Sequence, residues 1–81
     1  MVIAMIYQRI RNLREDKDLS QSTVGSAINV PQRTYAYYET GQRTIPPQVL
    51  AALAVFHNTS VDYLLNLTDD PKPYARKRSS R

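Results

Sequence analysis

Between Gln21 and Thr40 the chain reads QSTVGSAINVPQRTYAYYET, a run punctuated at short intervals by Gly25, Asn29 and Pro31. Apolar residues keep helical spacing on both sides of the break: Val24, Ala27 and Ile28 before it, Tyr35 and Tyr38 after it. Asn29 tolerates the left-handed backbone that ends a helix. Pro31 suits the first turn of the next helix, where its missing N–H is not needed. Two helices joined by so short a turn cross closely and need a small residue where they touch, and Gly25 stands there. Val24, Ile28, Val30, Tyr35 and Tyr38 fall where they would anchor the second helix to a domain. The pattern is that of a helix-turn-helix unit, in which one helix props a second in the major groove of DNA.

The flanking sequence supplies helices for this unit to pack on. Ile3, Ile6, Ile10 and Leu13 recur at intervals of three and four, with Arg9, Arg11, Asn12, Glu15 and Asp16 mostly off that stripe. This first helix is expected to end near Lys17–Asp18, and Ser20 is a good N-cap for the second. Gly41 stops the third helix after about Thr40, and QRTIPP forms a loop from which Pro47 opens a fourth. Val49, Leu50, Leu53, Ala54 and Phe56 or His57 make that helix mostly buried, ending at Asn58; His57 is expected to pack or cap. Ser60 can cap a short fifth helix, VDYLLNL. After Leu67 the chain reads TDDPKPYARKRSSR, with two prolines, dense charge and no apolar period, which predicts a mobile tail. With no alternating strand pattern, the reading is all-α: five short helices over residues 1–68 and a basic, flexible tail over 69–81.

Several function classes lose support. The 81 residues suffice for one small domain, and no run approaches the roughly eighteen apolar residues that cross a bilayer. The opening MVIAMIY is short, lacks a basic start and leads into QRIRNL, so a secretory signal is not expected and the cytoplasm is. There is no cysteine and a single histidine, which leaves no set of metal ligands and implies no cofactor. No histidine stands ready to activate a serine or threonine, and Asp69–Asp70 before Pro71 reads as a solvated turn, so catalysis is not expected. Residues 1–47 carry +2, 48–70 carry −3 and 71–81 carry +5, leaving residues 1–70 at −1. The distribution of charge therefore says more than its total.

A helical wheel at about 100° per residue divides the third helix. With Tyr35 at zero, Tyr38 lies near −60° and Glu39 near 40°, while Arg33, Ala36, Tyr37 and Thr40 lie between about 100° and 200°. Gln32 is intermediate but sits at the N-terminal end, which is the end that enters the groove. Tyr35 and Tyr38 should face the core and Tyr37 should face outward beside Arg33. An exposed Arg33 can bond guanine O6/N7, and Gln32 can bond adenine N6/N7. Tyr37 can pack on a thymine methyl or give its hydroxyl to a phosphate. The same residues on an unrelated helix would be ordinary solvated surface.

With these residues in place, RIRNLREDKDLSQSTVGSAINVPQRTYAYYETGQRTIPPQVLAALAVFHNTSVDYLL resembles the Cro/repressor-type (XRE) helix-turn-helix domain. The resemblance rests on LxQ at 19–21, YExG at 38–41 and SVDYLL at 60–65, and covers residues 6–67. It implies a five-helix, lambda-repressor-like DNA-binding domain. Gln21 would contact phosphate while supporting Gln32. Gln32, Arg33 and Tyr37 would read bases, with Ala36 offering at most a methyl contact. Ser22, Thr40, Gln42 and Arg43 would hold the DNA backbone. Arg14 and Glu39 match a structural ion pair linking the first helix to the third. Asp18 and Asn29 stand where glycine is common, and Pro31 where serine or threonine often caps, which bears on stability more than on the assignment.

The function implied is a cytoplasmic transcriptional regulator, a repressor, binding double-stranded DNA as a homodimer on a palindromic operator. The dimer surface is expected in the C-terminal helices or in the apolar start, Val2 to Ile6. The basic tail is expected to add affinity without sequence preference. The rival is an antitoxin-like module that neutralises a partner protein and binds DNA secondarily; only the first few residues and the tail are spare for such a partner.

Overall fold

The computed structural model describes residues 8–75, which form five helices and no strand: α1 (Gln8–Asp16), α2 (Gln21–Ala27), α3 (Gln32–Thr40), α4 (Pro47–Phe56) and α5 (Val61–Leu64). The expectations that involve Val2, Ile3 and Ile6, and those for residues 76–81, lie outside the described residues. None of the described helices is long and apolar enough to cross a membrane.

The helices begin and end by local chemistry. Ser20 caps α2 by accepting a hydrogen bond from the Thr23 N–H, and Ser60 caps α5 by accepting one from the Tyr63 N–H. Pro31 stands one residue before α3 and makes no side-chain cap, while Pro47 is the first residue of α4. All five helices close alike. A left-handed residue follows each: Asp18, Asn29, Gly41, Asn58 and Asn66. The next N–H then reaches back five residues to a helix carbonyl, at 3.1 Å from Leu19 to Arg14, 2.8 Å from Val30 to Gly25, and 2.9 Å from Gln42 to Tyr37. Thr59 to Ala54 and Leu67 to Asp62, each at 2.8 Å, complete the set. These are Schellman closures, which satisfy carbonyls that a helix end would otherwise leave unpaired.

The core is one cluster. Ile10, Val24, Ile28, Tyr35, Tyr38, Ile45, Leu53, Ala54 and Leu64 are buried, flanked by Leu13, Leu19, Val30, Val49, Leu50 and Phe56 among others. It takes one side from every helix: α2 lies on α3, α4 on α5, and α1 bridges α3 and α5. Fully burying side chains of this size contributes about 1.5–3 kcal/mol each, which a chain without disulfides needs.

Past Leu67, residues 68–75 stay against the domain. Arg9 donates to the carbonyls of Tyr63 (3.0 Å) and Thr68 (2.6 Å), pairs with Asp69 at 2.7 Å, and stacks over the Tyr63 ring at 4.0 Å. Farther on, the Thr59 hydroxyl donates to Pro71 O at 2.7 Å and the Asp62 N–H donates to the Tyr74 hydroxyl at 3.3 Å. Residues 68–75 are thereby laid along α1, the α4–α5 turn and α5. These partners are 12 to 60 residues away in the chain, so no local pattern announces them.

Gly25 sets how closely α2 and α3 can approach. A Cβ there would stand 2.7 Å from the Val30 carbonyl oxygen, a backbone atom in the turn itself. Gly25→Ala should therefore force the turn open and lower stability by about 1–3 kcal/mol, read as a lower urea midpoint with the slope unchanged.

Candidate nucleic-acid interface

α3 presents two different sides. Tyr35, Tyr38 and Glu39 are buried, whereas Gln32, Arg33 and Thr40 are exposed and Ala36 and Tyr37 half-exposed. Gln42 and Arg43 just past Gly41 continue this outward band, Arg43 lying over Tyr37, and Ser22 at the start of α2 is exposed as well. Arg33 and Arg43 are the cations of this band. Glu39, the one acid on α3, is turned inward and neutralised, so the outward side carries positive charge and hydrogen-bonding groups suited to a polyanion.

The inward side explains why α3 holds this rotation. Arg14 of α1 grips the Glu39 carboxylate with two nitrogens, at 2.6 and 3.0 Å, and also donates to Leu19 O at 2.8 Å. This fork geometry is the strong form of an arginine–carboxylate contact. Gln21 adds a third bond to the same carboxylate at 3.2 Å. The expected phosphate contact of Gln21 therefore meets a side chain that is half-buried and already engaged with Glu39. The Thr40 hydroxyl is likewise turned to a local carbonyl, Tyr37 O, at 3.2 Å.

Burial alone would raise the Glu39 carboxyl, but hydrogen bonds from Arg14 and Gln21, with the neighbouring Tyr35 hydroxyl, outweigh it and hold the group below its ordinary value. The bond to Glu39 pushes Arg14 further up. Burial, reinforced by Glu39, drives Tyr35 far above the tyrosine range. The buried Tyr35 hydroxyl has no hydrogen-bond partner among the described residues, although Glu39 lies close enough to act on it.

Two contacts carried no sequence signal. The Arg43 guanidinium lies over the Tyr37 ring, 5.3 Å from its centre. Just past the ends of α1 and α4, Lys17 Nζ approaches His57 Nδ1 at 2.9 Å. Lysine can only donate, so the imidazole carries its proton on Nε2, which is buried and has no partner among the described residues. Burial, with the Lys17 charge, lowers His57 from 6.5 to about 4.

Both shifts weaken the fold in acid. His57 stays neutral in the fold while the unfolded chain takes up a proton near 6.5, so stability should decline as the pH falls from about 6.5 to about 4. Glu39 contributes fully above its ordinary value of 4.5, and that contribution is lost as the pH falls through its lower folded value. Thermal melts from pH 8 to pH 3 should show a two-stage decline. His57→Gln should flatten the first stage and Glu39→Gln the second. Glu39→Gln should also cost about 3–5 kcal/mol near neutral pH, since it leaves Arg14 without its charge partner.

Comparison with known proteins agrees with this geometry. A helix-turn-helix family model matches residues 10–64, a span running from α1 through α5. Over 75 residues the chain is 35% identical to the uncharacterized HTH-type transcriptional regulator YobD of Bacillus subtilis (strain 168), covering 93% of this chain and 67% of that protein. Over 62 residues it is 32% identical to the cryptic phage CTXphi transcriptional repressor RstR of Vibrio cholerae, covering 76% of this chain and 56% of that protein. The chain thus spans about two thirds of one relative's length and just over half of the other's. No solved structure matches it. With five helices, the close α2–α3 crossing and a family match over most of its length, this chain belongs to the Cro/repressor-type (XRE) helix-turn-helix family and has its lambda-repressor-like fold.

Proposed function

We propose that this chain is a sequence-specific DNA-binding transcriptional regulator, acting as a repressor in the cytoplasm and binding a palindromic operator as a homodimer. The observation that carries this reading is the division of α3. Three of its residues are locked into the core, while Gln32 and Arg33 point away from it at the end of the helix that enters a major groove, with Tyr37 on the same side in the last turn. The printed descriptions of its relatives, a transcriptional regulator and a transcriptional repressor, support the same class.

In this reading Arg33 bonds guanine, Gln32 bonds adenine and Ala36 lies against the bases, while Ser22, Thr40, Gln42 and Arg43 face the sugar-phosphate backbone. Gln21, bonded to Glu39, supports the reading helix first and reaches phosphate only with its remaining polar atoms. A dimer is required because one helix reads too few bases, and two half-sites about one turn apart solve this. The exposed apolar residues Ala51 and Val55 on α4 suit a second copy, in keeping with a meeting surface in the C-terminal helices. The basic residues at the C-terminal end add affinity that does not depend on sequence.

Selection from a random pool of duplex DNA tests the proposal. A symmetric enriched motif is expected. Arg33→Ala should relax one position of each half-site at a cost of about 1–3 kcal/mol. No enrichment would turn the reading toward a module that binds a partner protein.

A further inference from the structure

Tyr37 acts on the residues that follow α3 in two ways. Its carbonyl accepts hydrogen bonds from the backbone N–H groups of Gln42 (2.9 Å) and Arg43 (3.4 Å). Its ring lies beneath the Arg43 guanidinium, 5.3 Å from centre to Cζ. Gly41, at φ 80°, makes both possible: its left-handed turn reverses the chain so that residue 43 returns over the last turn of α3. Arg43 forms no ion pair with any described carboxylate, so the ring is the charged group's partner in the free protein.

We infer that Tyr37 is a positioning residue for Arg43, its aromatic face holding the guanidinium beside the reading helix in readiness for a DNA phosphate. The inference rests on the DNA-binding reading above and assigns Tyr37 a task there other than touching DNA. An arginine side chain left free must give up rotamer freedom when it binds a phosphate. One already stacked on a ring has lost part of that freedom on folding. The guanidinium suits this double use, because its faces stack on the ring while its edge N–H groups stay free for phosphate oxygens. A contact of this kind at an exposed site corresponds to about a two- to fivefold change in affinity.

The chemistry separates this role from a direct contact by the Tyr37 hydroxyl. Tyr37→Phe keeps the ring and removes the hydroxyl; Tyr37→Leu keeps apolar bulk and removes the ring. Affinities for a duplex selected by the wild-type protein should be measured by fluorescence anisotropy over a salt series. Tyr37→Phe should bind like wild type and Tyr37→Leu about two- to fivefold more weakly. Arg43→Ala should flatten the salt dependence by about one counterion. The double variant Tyr37→Leu/Arg43→Ala should bind no more weakly than Arg43→Ala alone. In the free protein, the δ-methylene protons of Arg43 should show an upfield ring-current shift that survives in Tyr37→Phe and vanishes in Tyr37→Leu.

Three results would overturn the inference while leaving DNA binding intact: equal losses for Tyr37→Phe and Tyr37→Leu, multiplying losses for Tyr37→Leu and Arg43→Ala, or no ring-current shift in the wild type. Failure of the wild-type protein to bind any duplex would overturn the regulator reading and the positioning role with it.

Discussion

The Glu39 carboxylate rides on α3 while accepting hydrogen bonds from Arg14 of α1 and Gln21 of α2, so three helices meet at one acidic group. Arg14 also holds Leu19 O in the α1–α2 connection, which brings that loop into the same arrangement. A buried carboxylate without these partners would be strongly unfavourable. The requirement is geometric: each residue along a helix turns it by about 100°, so a one-residue slip of α3 would take Glu39 out of Arg14's grip. The same slip would carry Arg33 and Tyr37 off the outward face. The buried pair thus sets the rotation of α3, and the rotation decides which side chains stand outside.

Apolar packing alone would hold that rotation less strictly. Tyr35 and Tyr38 bury large surfaces on the inward side of α3, but apolar cores tolerate modest rearrangement before they lose stability. A charged fork bonded to one carboxylate tolerates little. Gly25 adds a steric limit, since the Val30 carbonyl leaves no room for a side chain at that position. The recurring helix closures supply the remaining rigidity, with the chain direction after every helix set by one left-handed residue and one long backbone hydrogen bond.

What could be read from the sequence follows this division between local and distant causes. Ser20, Asn29, Gly41, Asn58 and Ser60 mark helix ends through their own backbone preferences and hydroxyls, and each does so where its residue type suggests. The two faces of α3 follow from periodicity alone. The Arg14–Glu39 pair was legible only through family resemblance, because its members are 25 residues apart. The inward turn of Gln21, the Arg9 clasp on residues 63–69 and the stacking of Arg43 on Tyr37 were not legible. Each depends on where another element comes to rest in space. Residues 68–75 show this most clearly: nothing in their composition announces that an arginine from α1 and two hydrogen bonds hold them against the domain.

In the proposed docking, α3 and the residues around it meet DNA while α4 and α5 do not. Backbone amide shifts recorded while the protein is titrated with a duplex carrying its selected motif test this directly. The largest changes are expected at residues 21–23, 32–37 and 41–43, with the amides of Leu53, Ala54 and Leu64 little moved. Changes centred instead on α4, around Ala51 and Val55, would contradict it.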